Sequence, residues 1–92
     1  MYLHLGGEVV LPIREVVALL DARTARGSVV LREFLERAAA KGRLHGEPDS
    51  PECRTLVITA AGRVYTSAAT AATLARRMTH LRQSAKAWNA EN

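Results

Sequence analysis

Four arginines, Arg54, Arg63, Arg76 and Arg77, are the residues of this 92-residue chain best suited to chemistry, and that chemistry is the recognition of phosphate. A guanidinium stays protonated at physiological pH and presents a planar fork of N–H donors that matches an anionic oxygen pair. Residues 1–53 carry seven Lys and Arg against eight Asp and Glu, a balance of −1, whereas residues 54–92 carry six against Glu91 alone, a balance of +5. The two sum to the net charge of +4, so the whole positive excess begins at Arg54. A one-signed field on part of a small surface attracts a polyanion such as the backbone of double-stranded DNA. The competing reading makes the same arginines solvated surface charge, or ion-pair partners of Glu8, Glu15, Glu33 or Glu36 on a neighbouring subunit.

Other chemistry finds less material. Cys53 is the single cysteine, so it has no partner for an internal disulfide, and no CxxC or Cys/His pair offers zinc a site. His4, His45 and His80 are scattered, and no spacing ties one of them to Cys53 as a base. Cys53 reads as a passive residue at the start of a strand. Gly6 and Gly7 lack the GK[ST] and the helix that would make a phosphate loop of them. No paired carboxylates or triad can be assembled, so the chain is expected to be no enzyme and to need no cofactor or metal.

The elements that must position the arginines are legible in the residue types. Thr55 to Thr59 is β-branched and apolar, Ala60 to Arg63 supplies a turn in which Gly62 can take positive φ, and Val64 to Thr66 returns as a second strand. A helix starts at about Thr70 and carries Arg76 and Arg77 on its exposed face. Its apolar positions Leu74, Met78, Leu81, Ala85 and Trp88 recur at spacings of four, three, four and three. That seam covers the sheet, or its outer part, Leu81 and Trp88, serves contact between subunits.

Upstream, Tyr2 to Leu5 and Val9 to Leu11 read as a hairpin around Gly6 and Gly7, broken at Pro12 and Ile13. Glu15 to Asp21 is apolar enough for a buried strand, with a short helix as the alternative. Asp21 to Gly27 reads as a polar link. Ser28 then caps a helix over Val29 to Lys41, with Leu31, Phe34, Leu35 and Ala38 on one face and Gly42 ending it. Leu44 and His45 suggest a short strand, and Gly46 to Glu52 is an acidic, proline-bearing, mobile loop. The expected fold is therefore α+β: a small, mostly antiparallel sheet of hairpins with one central helix and a C-terminal helix. A 92-residue chain with an aliphatic core is near the size where partners complete the fold, so an oligomer is expected. Without an apolar run of about 18 residues or a signal-peptide pattern, the expectation is a cytoplasmic protein that does not enter a membrane.

The ordered blocks MYLHLGG, EVVALLD, LREFLERA, RTLVIT, RVYTS and TLARR resemble the Rem family of bacterial extracellular matrix regulators, and the RemB branch more than RemA. The resemblance covers residues 1 to about 78, which makes 79–92 a C-terminal helical extension to a Rem-type regulator domain. It implies a small α+β protein that forms a homo-oligomeric ring and, in the RemA branch, binds DNA upstream of biofilm-matrix genes. RemA-like members place two adjacent arginines just before the strand corresponding to Arg54–Thr59, and these look like their main DNA contact. Here those positions are Pro51 and Glu52, which leaves Arg54 of that cluster. Two functions follow: a ring-forming transcription regulator whose Arg54, Arg63, Arg76 and Arg77 contact DNA phosphates, and an oligomeric interaction module, a partner of a RemA-like regulator, without direct DNA contact.

Overall fold

A computed structural model describes the main chain of residues 1–91 and the side chains of residues 1–83. The chain is α+β, with strands β1 (Tyr2–Gly6), β2 (Val9–Pro12), β3 (Val16–Asp21), β4 (Leu44–His45), β5 (Thr55–Thr59) and β6 (Val64–Ser67). The helices are α1 (Ala22–Arg26), α2 (Val29–Ala40) and α3 (Ala71–Glu91), and a single 3₁₀ turn, Ile13–Glu15, joins β2 to β3. β1 and β2 form a separate antiparallel hairpin, while the other four strands form one sheet in the order β3-β5-β6-β4. Only β4 runs parallel to its neighbour, β6.

Alternation along the central strands sorts the core into two faces. Leu56 and Ile58 of β5 point with Val64 of β6 towards Ala38, Phe34 and Leu35 of α2. Val57 and its cross-strand partner Tyr65 point the other way, where Leu3, Leu5 and Leu11 of the hairpin meet Leu74 and Met78 of α3. The molecule is thus three layers: α1 and α2, the four-stranded sheet, and the hairpin with α3. β5 is central and buried on both faces, which is why its sequence is a continuous apolar run rather than an alternating one.

Strand β3 breaks the two-residue period. Its register against β5 shifts between Val16 and Ala18, so Val17 is the extra residue of a bulge and stands 65% exposed. The bulge explains how Val16 and Leu19, three apart, both reach the hairpin face. The segment is a strand and not a helix, but it starts at Val16 and lies at the edge of the sheet, half-buried rather than buried, because one face of the edge strand is left open by the bulge.

Local signals account for most boundaries. Ser28 Oγ accepts the Leu31 amide at 3.2 Å and opens α2, and the Gly42 and Arg43 amides return to Ala39 and Ala38 to close it. Thr70 Oγ1 accepts the Thr73 amide at 3.2 Å and opens α3 one residue later than expected. α3 then runs unbroken through residue 78, the expected end of the domain. The segment from Asp21 to Gly27 is a correction: it is no mere link. Asp21 Oδ1 accepts the amides of Arg23 and Thr24, nucleating α1, and Ala22 and Ala25 are buried beneath it.

Two buried hydroxyls join the layers. Ser67 Oγ donates to Leu5 O at 2.5 Å, and Thr55 Oγ1 donates to Ala69 O at 2.7 Å. These bonds fasten the hairpin and the entry to α3 onto one end of the sheet.

Candidate functional site

Arg54 is the best anchored of the sequence-derived candidates. Its amide donates to Ser67 O at 2.8 Å and its carbonyl accepts the Ala22 amide at 3.0 Å, so its main chain is locked between β6 and α1. The side chain is left exposed at the end of the sheet. The short helix α1 brings Arg23 and Arg26 to the same place, and with Asp21, Arg54, Thr70 and Ala71 they line a cleft of about 280 Å³. Three cations and one carboxylate converge there. Asp21 is already committed to capping α1, and the first amides of α3, beginning at Ala71, have no acceptor within their helix.

Arg23 and Arg26 do different work. Arg26 reaches the loop ahead of β5: its Nε and Nη2 donate to Pro48 O at 3.3 and 3.2 Å, and Nη2 also donates to Ser50 O at 3.0 Å and Cys53 O at 3.1 Å. The loop expected to be mobile is therefore tied to α1 through two of its carbonyls and that of Cys53 just beyond it. Arg23 is exposed, and among the described residues its hydrogen bonds run through the main chain. Both arginines belong to the site and neither was picked out from the sequence. The signal was present, because Asp21 followed by Ala22 and Ala25 at i, i+3 spacing is a capped helical turn that turns Arg23 and Arg26 outward.

The other candidates are placed apart from this cleft. Arg63 sits in the β5–β6 turn, where its carbonyl accepts from the Thr59 amide and hydroxyl, so it lies at the far end of the sheet from Arg54, about 17 Å away at roughly 3.3 Å per strand residue. Arg43 is beside it, packed against Gly62. Arg76 and Arg77 are exposed on α3, about 8 Å further along the axis than Ala71 at a rise of about 1.5 Å per residue. Arg76 Nη2 approaches Thr73 Oγ1 at 3.5 Å, and Arg77 Nη1 donates to His4 O at 3.2 Å, clasping α3 to the hairpin. Within one chain, therefore, only Arg54 of the four joins a cluster. Leu81 is half-buried, and Trp88 lies outside the described side chains.

Pro51 and Glu52 are both exposed on the loop, Pro51 at the rim of the basic cleft. On the other side of the loop, Glu47 and Glu52 line a second cleft of about 270 Å³ together with Gly6, Gly7 and Thr66. Cys53 contributes to the walls of both and is itself buried. Burial pushes its thiol pKa up from the ordinary value of 9.0, against smaller opposing pulls from the main chain of Ser67 and Thr55 and from the Arg26 charge. Its Sγ lies 3.6 Å from Thr55 O, a weak donor–acceptor contact that suits a packed, protonated thiol. His45 stacks on Tyr65 with ring centroids 4.7 Å apart, at the outer strand of the sheet.

Among the described residues no group of three or more His, Cys, Asp or Glu could hold a metal ion. No helix there is long and apolar enough to cross a membrane. No protein-family model matches the chain, and no curated protein matches it at a significant level.

Proposed function

We propose that the chain is a non-enzymatic bacterial regulator of the extracellular matrix, or biofilm, type, which closes into a homo-oligomeric ring and binds double-stranded DNA through its phosphates. The observation that carries this reading is the fixed placement of Arg54, whose main chain is locked while its guanidinium, beside Arg23, faces solvent. A side chain rooted on a fixed main chain needs no ordering of its segment on meeting a phosphate, and repetition around a ring raises the effective concentration of each further contact. Closure into a ring is supported by the two open edges of the sheet, β3 and β4, whose outward amides and carbonyls can pair with another copy. The resemblance to the Rem family points the same way. Such a protein works in the cytoplasm, on the chromosome.

Fluorescence anisotropy with a labelled duplex at low salt tests the DNA reading. Binding should weaken steeply with salt, log K falling by about 0.9 per phosphate neutralised for each tenfold rise in salt, and Arg54→Ala should reduce that slope. Absence of binding at micromolar protein would refute it. Light scattering tests the ring, which a species of 10.0 kDa at all concentrations would rule out.

A second reading is favoured by one observation. The basic cleft at Arg54 and the acidic cleft at Glu47 and Glu52 flank the same loop with opposite signs, as complementary faces of successive subunits or of a RemA-like partner would. In that case Arg54 and Glu52 form intersubunit pairs, the chain is an interaction module, and charge reversal at Glu52 breaks assembly rather than altering DNA affinity.

A further inference from the structure

We infer that the cleft between α1 and the start of α3 is a binding site for a single phosphoryl group, with Arg23 and Arg54 as its ligands. Three features of the cleft converge on that chemistry. First, Arg23, Arg26 and Arg54 approach one concavity whose single carboxylate, Asp21, is engaged with the amides of Arg23 and Thr24. Like charges are brought together there with one counter-charge, and a dianion relieves the repulsion. Second, Arg26 is held by the loop carbonyls, which leaves Arg23 and Arg54 as the two guanidinium forks open to an incoming group. The Arg54 main chain is fixed to Ser67 and Ala22, which keeps the root of its side chain at the rim of the cleft. Third, Thr70 and Ala71 form a further wall, where a long helix begins: Thr70 takes up the Thr73 and Leu74 amides, which leaves those of Ala71 and Ala72 at the mouth of the helix.

The size of the cleft narrows the ligand. At about 280 Å³ it lies just below the range of pockets that enclose drug-sized molecules, about 300–1,000 Å³, and suits a phosphate carrying a small substituent. Two sources can present that group: a small phosphorylated molecule, or one phosphate of a nucleic-acid backbone. The inference concerns the cleft alone and stands or falls apart from the DNA reading.

Isothermal titration of the whole protein with inorganic phosphate, against chloride at matched ionic strength, tests it. The expected result is saturable binding at one site per chain. Removing one charge-assisted contact, in Arg23→Ala or Arg54→Ala, should weaken it by about tenfold or more, with melting curves in chloride unchanged. Arg63→Ala, at the far end of the sheet, should leave it as it was. No saturable heat with phosphate, or equal weakening by Arg63→Ala, overturns the inference. A competition arm separates the sources. If phosphate displaces a labelled duplex and Arg23→Ala weakens both, the group belongs to nucleic acid. If phosphate binds while duplex affinity is the same in wild type and Arg23→Ala, it belongs to a small molecule. Duplex binding with no phosphate binding refutes the cleft and leaves the proposed function standing.

Discussion

The two ends of the β5–β6 hairpin both carry arginines, but only one end is built. At the far end Arg63 lies within a four-residue turn, which the Ala60 amide ties to Glu15 O and the Val64 amide to Arg43 O, each at 2.9 Å, and Gly62 there has only the Arg43 side chain near it. At the near end the Arg54 main chain is flanked by α1, the loop before β5 and the entry to α3, each tied down by hydrogen bonds of 2.7–3.3 Å. A turn can be closed by two strands and a glycine, whereas a cleft needs segments from several parts of the chain to be fixed at once. Positive charge is therefore common to both ends, and preorganisation belongs to one.

Glycine substitutions should expose that difference most strongly. Gly46, at the near end, has φ +104°, and a Cβ there would lie within 3.0 Å of Thr66 Cβ and Cγ2 and closer still to its Oγ1. Gly46→Ala therefore combines backbone strain with overpacking and should cost about 3 kcal/mol, measured by chemical denaturation. Arg26→Ala should come next, at about 2 kcal/mol, because it removes the shared donor of three carbonyls. Limited proteolysis should then find the 46–52 loop cut faster than in wild type. Gly62→Ala, at the far end, meets φ +80° but only a movable side chain, and about 1 kcal/mol is expected. If Gly62→Ala proves as costly as Gly46→Ala, the two ends are equally constrained and the contrast fails.

The smallest effect concerns Cys53, which walls the near end. Its thiol pKa is raised in the folded chain by burial, so the unfolded chain ionises first as pH rises. Between the two values the unfolded state binds fewer protons, and stability should be fully present below about pH 9 and decline above it. Melting temperature against pH should show the decline in wild type and a flatter profile in Cys53→Ala.

What could be read from the sequence was whatever the chain decides locally. The hairpin around Gly62, the Ser28 cap of α2 and the strand character of Thr55–Thr59 depend on neighbours within a few residues, and each is as expected. The short helix α1 was hidden because five residues, three of them Arg or Thr, read as polar text, and its stability comes from burying Ala22 and Ala25 rather than from periodicity. The cleft was hidden for a further reason. Arg23, Arg54 and Ala71 are separated by 31 and 17 positions and meet only because β3 pairs with β5 and α1 hangs from the Arg54 carbonyl. The grouping of Arg54, Arg63, Arg76 and Arg77 by charge alone placed together residues that the sheet sets at opposite ends.

The bonds that fasten β1 and β2 also set an order of events during synthesis. Leu5 O waits for Ser67, and His4 O waits for Arg77, partners 62 and 73 positions downstream. A two-stranded ribbon is marginal in water by itself, so the hairpin is made well before the partners that seat it. Until α3 emerges, Leu3, Leu5 and Leu11 have no Leu74 or Met78 to cover them. A nascent chain halted before residue 67 would hold an unseated, sticky hairpin, and a chaperone that grips it early would be helping that hairpin keep its appointment with α3.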